Sequence, residues 1–185
     1  MNHLNMCACD IQKVYLQIPS SEKHFIICGP EFGLDNVGRR VLIIRALYGG
    51  KRAGADYWRH VHSAMEEMSF KSCTTDPDVW FLSATKANGT DYYQYVLLYV
   101  DDILEIMESP EDFILMELGH RFVIKPSSIG PTTQYLGKKV SLVTIENHFQ
   151  AWSFSSSKYA QNAVNNVAGK LAREGRSLLK RAAVE

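Results

Sequence analysis

The chain has 185 residues, 46% of them apolar and 22% charged, with 20 acidic and 20 basic side chains and no formal net charge. This length and composition are those of a globular domain with a real core, and the neutral balance lacks the basic footprint of a self-sufficient nucleic-acid binder. No apolar run reaches membrane-spanning length and the N-terminus lacks signal-peptide features, so we expect a cytoplasmic protein that does not bind membranes.

The first half of the chain begins with strands and continues into a helix. Apolar runs at 6–18, 25–28 and 41–44 predict strands, because proline, glycine and serine interrupt the sequence between them. From 54 to 70, apolar residues recur at three- and four-residue spacing, which predicts an amphipathic helix whose buried face carries Trp58, Val61, Met65 and Met68.

The second half of the chain predicts strands and helices in alternation. A short strand at 79–82 precedes a β-hairpin of strands 92–100 and 103–107. Ser109 and Pro110 are typical of a helix start, and this helix should run to about Arg121. A strand pair at 135–145 and a helix at 158–171 follow. This order predicts a mixed, mostly antiparallel α+β domain.

Two adjacent aspartates, Asp101 and Asp102, form the turn of the predicted hairpin. Aspartate is common in turns for its own hydrogen bonds, so a structural role is one interpretation. The flanking strands have the apolar character of interior strands, however, and clustered carboxylates at the rim of a buried sheet suit a hard divalent cation. Asp10, in the first apolar run, is the candidate partner carboxylate, and pairing with Lys13 or capping a turn is its alternative role.

Seven short blocks follow one another along the chain: 10–16 (DIQKVYL), 31–33 (EFG), 45–49 with Lys51 (RALYG, K), 76–80 (DPDVW), 99–102 (YVDD), 135–137 (YLG) and 157–159 (SKY). These blocks resemble, in the same order, blocks of the reverse transcriptases of copia-type retrotransposons. The resemblance extends from about residue 6 to 170.

The resemblance implies the palm subdomain of a right-hand polymerase, an antiparallel sheet with packed helices, plus the start of a thumb, with the fingers largely missing. Residues 1–125 would form the palm, 126–171 a primer-grip-like hairpin and the start of the thumb, and 172–185 a basic tail.

The resemblance also implies an RNA-directed DNA polymerase that transfers nucleotides to a primer 3′-hydroxyl. Asp10, Asp101 and Asp102 would be its catalytic carboxylates and the ligands of two Mg²⁺ ions about 3.5–4 Å apart, with Mn²⁺ as a substitute. Such a transfer depends on positioning and charge neutralisation more than on covalent chemistry.

Five further residues match the nucleotide- and primer-binding motifs of that family. The nucleotide-binding matches are Ile11, Tyr15 and Lys51, with Tyr15 as the aromatic gate against a ribose 2′-hydroxyl, and the primer-binding matches are Leu136 and Gly137. Without the resemblance, Tyr15 is equally an ordinary strand aromatic and Lys51 a solvated residue before a helix.

The implied partners are an RNA or DNA template-primer, deoxynucleoside triphosphates and the remainder of a Pol polyprotein, in the cytoplasm, the nucleus or a virus-like particle. Only nine residues precede Asp10, where the family's triphosphate-gripping fingers should lie, so we expect little catalysis from the chain alone. Two alternatives are an inert relic of the element and a co-opted nucleic-acid- or protein-binding module.

Overall fold

The computed structural model of the chain describes residues 4–145 and 149–178. Its contacts divide the chain into two compact units, Met1–Pro131 and Thr132–Glu185. Both units combine antiparallel strands with helices, so the predicted mixed α+β class is confirmed. Within the described residues, no helix has the length and apolar character needed to cross a membrane.

The first unit is built on a five-stranded antiparallel sheet and a separate two-stranded ribbon. Its strands are β1 (Asn5–Asp10), β2 (Pro19–Ile27), β3 (Arg40–Arg45), β4 (Lys71–Ser72), β5 (Val79–Thr85), β6 (Asp91–Tyr99) and β7 (Asp102–Met107). The strand order of the large sheet is β1-β7-β6-β5-β4, and β2 pairs with β3 in the ribbon. The predicted hairpin is therefore confirmed as β6–β7, but its turn lies one residue earlier than predicted. Val100 and Asp101 form this turn, which we call the acidic turn, and Asp102 begins β7.

The first unit also contains helices and short helical turns. They are α1 (Val14–Gln17), α2 (Ala53–Glu67), α3 (Pro110–Phe113) and α4 (Gly119–Arg121), with a π-helical turn at Ile114–Leu118 and 3₁₀ turns at Pro30–Phe32, Leu34–Asn36 and Pro126–Ser128. The predicted helix from Ser109 to Arg121 is confirmed, although its middle turn is π-helical. Ile114 and Leu118 of that turn are buried in the core.

Helix α2 confirms the predicted helix but not all of its predicted buried face. Tyr57, Val61 and Met65 are buried, which is the one-face spacing of an amphipathic helix. Trp58 was predicted to be buried and is instead 47% exposed, with its ring stacked on His62 at 3.6 Å between ring centroids. The prediction was wrong by one position because Tyr57, not Trp58, falls on the line of Val61 and Met65.

The first strand is shorter than the predicted run of 6–18. Strand β1 ends at Asp10, and Lys13 adopts a left-handed φ of 50° that turns the chain into α1. The amide of Gln12 donates to the carbonyl of Val123 at 2.8 Å, outside any strand pair. A left-handed residue cannot continue a strand, so the apolar run of the sequence is divided between a strand and a helix.

Asp56 connects α2 to the ribbon. Its Oδ2 accepts a hydrogen bond from the backbone N–H of Ser21 in β2 at 2.8 Å, and its Oδ1 pairs with Arg59. These contacts, with the Ser21 N–H as the larger effect, hold the pKa of the Asp56 carboxyl below its usual value. The start of α2 is thus fixed by a buried carboxylate.

The second unit is a three-stranded antiparallel sheet followed by a helix. Its elements are β8 (Gln134–Tyr135), β9 (Lys138–Ile145), β10 (Phe149–Ser155) and α5 (Ser157–Arg173), in the sheet order β10-β9-β8. The predicted strand pair at 135–145 is confirmed as β8–β9 and the predicted last helix as α5, whereas β10 was not predicted. Residues 179–185 of the predicted basic tail lie outside the described residues.

Candidate active site

The three predicted carboxylates lie at one end of the large sheet, where β1 ends and β7 begins. We call this end of the sheet the carboxylate edge. Asp10 is the last residue of β1 and Asp102 the first of β7, and the two are direct register partners. Asp101 precedes Asp102 in the turn between β6 and β7, and Tyr99 pairs with Asp102 to close the hairpin. Antiparallel pairing of β1 with β7 therefore brings together residues that are about ninety positions apart in the sequence.

The charges at this edge repel one another. Partial burial and the neighbouring carboxylates of Asp10 and Asp101 raise the pKa of the Asp102 carboxyl, and a hydrogen bond with Asp10 adds to the effect. One cation partly offsets this charge, since Lys125 Nζ lies 3.5 Å from Asp10 Oδ2. Both of those side chains are more than a third exposed, so water screens this ion pair.

The donor chemistry of this edge fits a hard cation. Among residues 4–145 and 149–178, no group of three or more His, Cys, Asp or Glu side chains already has the arrangement of a metal site. Carboxylate oxygens are nonetheless the ligands that Mg²⁺ prefers. A bound divalent cation would also relieve the repulsion that raises the pKa of Asp102.

Backbone hydrogen bonds fix Asp10 on both sides. Its N–H donates to Ser128 Oγ at 2.8 Å, and its carbonyl accepts from the Lys125 N–H at 2.9 Å. The next amide, of Ile11, donates to the Asp101 carbonyl at 2.9 Å. The Ile11 side chain, predicted to bind nucleotide, is only 2% exposed, so the contribution of Ile11 to this edge is its backbone.

Tyr15 lies beside an aromatic cavity next to the acidic turn. The ring of Tyr15 meets the ring edges of Tyr48 and Tyr57, with centroids 4.8 Å and 5.9 Å away. The cavity has a volume of about 250 Å³ and is lined by Tyr15, Gly54, Tyr57, Trp58, Val61, His62, Asp78, Leu98, Tyr99 and Val100. Lys51, the third predicted nucleotide-binding residue, is exposed in the turn before α2 and does not line this cavity.

Tyr57 is a residue of this site that the sequence did not reveal. Its hydroxyl donates to the carbonyl of Val100 at 2.7 Å, directly before the two aspartates. Burial, and then the nearby charge of Asp101, raise the pKa of the Tyr57 hydroxyl, so it stays a donor at neutral pH. Its spacing of four residues from Val61 is typical of a buried helix face, but the predicted face had Trp58 in its place, and no sequence signal linked Tyr57 to the turn.

Glu105 is a second residue that the sequence did not reveal. It lies in β7 with none of its surface exposed, and Cys9 Sγ donates to its Oε1 at 3.7 Å. Its Oε2 is buried and has no hydrogen-bond partner within the described residues. Burial raises the pKa of the Glu105 carboxyl to about 8, so the side chain is mostly protonated at neutral pH.

The two predicted primer-binding residues form the turn between β8 and β9 in the second unit. Leu136 and Gly137 have φ values of 46° and 74°, and a two-residue type I′ hairpin turn requires positive φ at both positions. Leu136 is 44% exposed at this turn. The turn is therefore tight and accessible.

Comparison of the chain with protein-family models, with curated proteins and with solved structures finds no match.

Proposed function

We propose that this chain is the palm and the start of the thumb of an RNA-directed DNA polymerase of the copia type. One observation carries the proposal: Asp10 and Asp102 are register partners at the carboxylate edge, and Asp101 lies in the adjoining turn. Carboxylates placed opposite one another destabilise a sheet, so their convergence here favours a cation-binding role over a purely structural one.

In the proposed reaction, Asp10, Asp101 and Asp102 would hold two Mg²⁺ ions, which would supply activation of the primer 3′-hydroxyl and charge neutralisation for the leaving pyrophosphate. The contribution of the chain itself is to position these carboxylates. The hydrogen bonds on both sides of Asp10 fix the backbone that carries its carboxylate, which reduces the reorganisation needed when substrate arrives.

The ring of Tyr15 limits the space for a ribose 2′-hydroxyl in this proposal. Its support is the half-buried position of Tyr15, held edge-on by Tyr48 and Tyr57. Lys51 and the Leu136–Gly137 turn are proposed to contact nucleotide and primer, respectively, since both are accessible.

The test is extension of a labelled DNA primer on an RNA template, with Mg²⁺ or Mn²⁺ and deoxynucleoside triphosphates. We expect weak, metal-dependent extension by the wild type and no detectable extension by Asp101→Asn, because one group that stabilises transition-state charge is removed. Asp35→Asn is the matched control, since Asp35 is an exposed aspartate of a 3₁₀ turn outside the site.

Other outcomes would favour the alternatives. Extension that persists in Asp101→Asn would remove the site assignment. If wild-type protein shows no extension with excess template-primer and no Mn²⁺ binding, the chain is an inert relic. Steeply salt-dependent RNA binding that Asp101→Asn leaves unchanged would instead favour a co-opted binding module.

A further inference from the structure

The acidic turn contains a strained residue, Val100, directly before Asp101 and Asp102. Val100 has a φ of 55°, in the left-handed region. For a β-branched residue this conformation is a genuine outlier and is strained. Val100 is also half-exposed, so side-chain burial alone does not hold it there. Contacts from outside the hairpin must therefore stabilise the turn.

Two such contacts act on consecutive carbonyl groups of the turn. Tyr57 Oη donates to the Val100 carbonyl at 2.7 Å, and the Ile11 N–H donates to the Asp101 carbonyl at 2.9 Å. The first donor belongs to α2 and the second follows β1. The turn is thus attached to two elements that are not part of its own hairpin.

The donor from α2 is rigidly held. Tyr57 is only 6% exposed, and its ring lies in the core with Val61 and Met65. The preceding residue, Asp56, fixes the start of the helix through the Ser21 N–H. A buried hydroxyl on a fixed helix can select one turn conformation, because a hydrogen bond depends on both distance and direction.

We propose that Tyr57 is a positioning residue, whose hydroxyl keeps Val100 in its strained conformation and thereby directs Asp101 and Asp102 toward Asp10. The hold on the turn follows from the contacts themselves, whereas its consequence for cation binding rests on the proposed function. The residue acts through the Val100 carbonyl and is not a ligand.

The test uses Tyr57→Phe, which keeps the ring and removes only the hydroxyl. The matched control is Tyr92→Phe, since Tyr92 is equally buried at the far end of β6 and its hydroxyl bonds only the Gln94 side chain within the described residues. Val100→Gly, alone and combined with Tyr57→Phe, is the rescue variant, because glycine adopts positive φ without strain.

The first measurement is amide hydrogen exchange in full-length, metal-free protein, which does not depend on any activity. We expect the Ile11 amide, bonded to the Asp101 carbonyl, to exchange about fivefold faster in Tyr57→Phe, the effect of losing one hydrogen bond. Tyr92→Phe should leave this exchange unchanged. Thermal unfolding of each variant controls for global stability.

The second measurement is Mn²⁺ affinity, followed by the electron paramagnetic resonance signal of free Mn²⁺. We expect Tyr57→Phe to bind about five- to tenfold more weakly than wild type, and this loss to shrink to about twofold in the Val100→Gly background. A purely structural role for Tyr57 would not produce that rescue.

Unchanged exchange at Ile11 in Tyr57→Phe, or an equal loss of Mn²⁺ affinity with and without Val100→Gly, would overturn the proposal. If wild-type protein binds no Mn²⁺, the proposed function fails, while the hold of Tyr57 on the turn is still decided by the exchange measurement.

Discussion

The buried carboxyl of Glu105 makes a quantitative prediction about stability and pH. Its pKa is about 8 in the folded chain against an ordinary value of 4.5. The folded chain therefore keeps a proton that the unfolded chain has released, and stability falls as pH rises between these values. The slope approaches about 1.4 kcal/mol for each pH unit once the unfolded chain is fully ionised, so the loss between pH 5 and pH 7 is about 2–3 kcal/mol.

Glu105→Gln removes this titration while keeping the shape of the side chain. We expect wild type to lose about 2–3 kcal/mol relative to Glu105→Gln between pH 5 and pH 7, whatever the constant offset from the new amide. Such a change is a large share of the stability of an ordinary domain, about 5–15 kcal/mol. The measurement is urea unfolding of both proteins at several pH values, with linear extrapolation to water.

Glu108→Gln is the matched control, since Glu108 is exposed at the end of the same strand. Its stability difference from wild type should be nearly independent of pH. A constant difference between wild type and Glu105→Gln across pH 5 to pH 8 would refute the reasoning, because it would mean that Glu105 ionises in the fold as it does in the unfolded chain.

Two further predictions concern the candidate site and the second unit. In metal-free buffer, Asp102→Asn should stabilise the protein by about 0.2–1 kcal/mol, because it removes a like-charge pair with Asp10 across the strands. Thermal unfolding in the presence of a chelator measures this, and a lower melting temperature would contradict it. Leu136→Asn should stabilise the protein by about 0.5–1 kcal/mol, because Asn-Gly suits a turn with positive φ at both positions. Leu142→Asn, at an exposed leucine in β9, is its control and should destabilise, so equal effects at the two positions would count against the turn interpretation.

Local patterns in the sequence were enough to predict much of the fold. The helix spacing around Val61 and Met65, the start signal at Ser109 and the acidic turn at Asp101 each depend on neighbours within a few positions. Helices α2 and α5 and the β6–β7 hairpin were predicted for this reason. Asp10 was a candidate partner of the two aspartates from its place in an apolar run, but local patterns could not predict its register with Asp102, since that pairing joins strands that are distant in the sequence.

The residues that the sequence did not reveal depend on long-range pairing. Side chains along β7 point alternately to the two faces of the sheet, and a charged residue such as Glu105 normally lies on the face that contacts solvent. The sheet order puts β7 between β1 and β6, and the core covers the face that carries Glu105. The role of Tyr57 was not predicted for a related reason, because its hydrogen bond joins α2 to a turn about forty residues later in the sequence.

Residues 100–105 concentrate three features that lower the stability of this fold. They are the strained φ of Val100, the repelled carboxyl of Asp102 and the buried carboxyl of Glu105. Simple substitutions remove each of them, so a sequence under selection for stability alone could lose them easily. Their presence in one hairpin supports a functional role for it.

The three features differ in what the proposed function requires. A cation site made of carboxylates needs them close together before the cation arrives, so the strain at Val100 and the repulsion at Asp102 follow from that requirement. Glu105 lies within the core and not at the carboxylate edge, and nothing in the proposed reaction needs its charge. The proposed function therefore separates two variants of this hairpin: Asp102→Asn should abolish metal-dependent extension, whereas Glu105→Gln should leave it intact. Loss of extension in both variants would mean that the hairpin as a whole, and not its carboxylate edge, sets the activity.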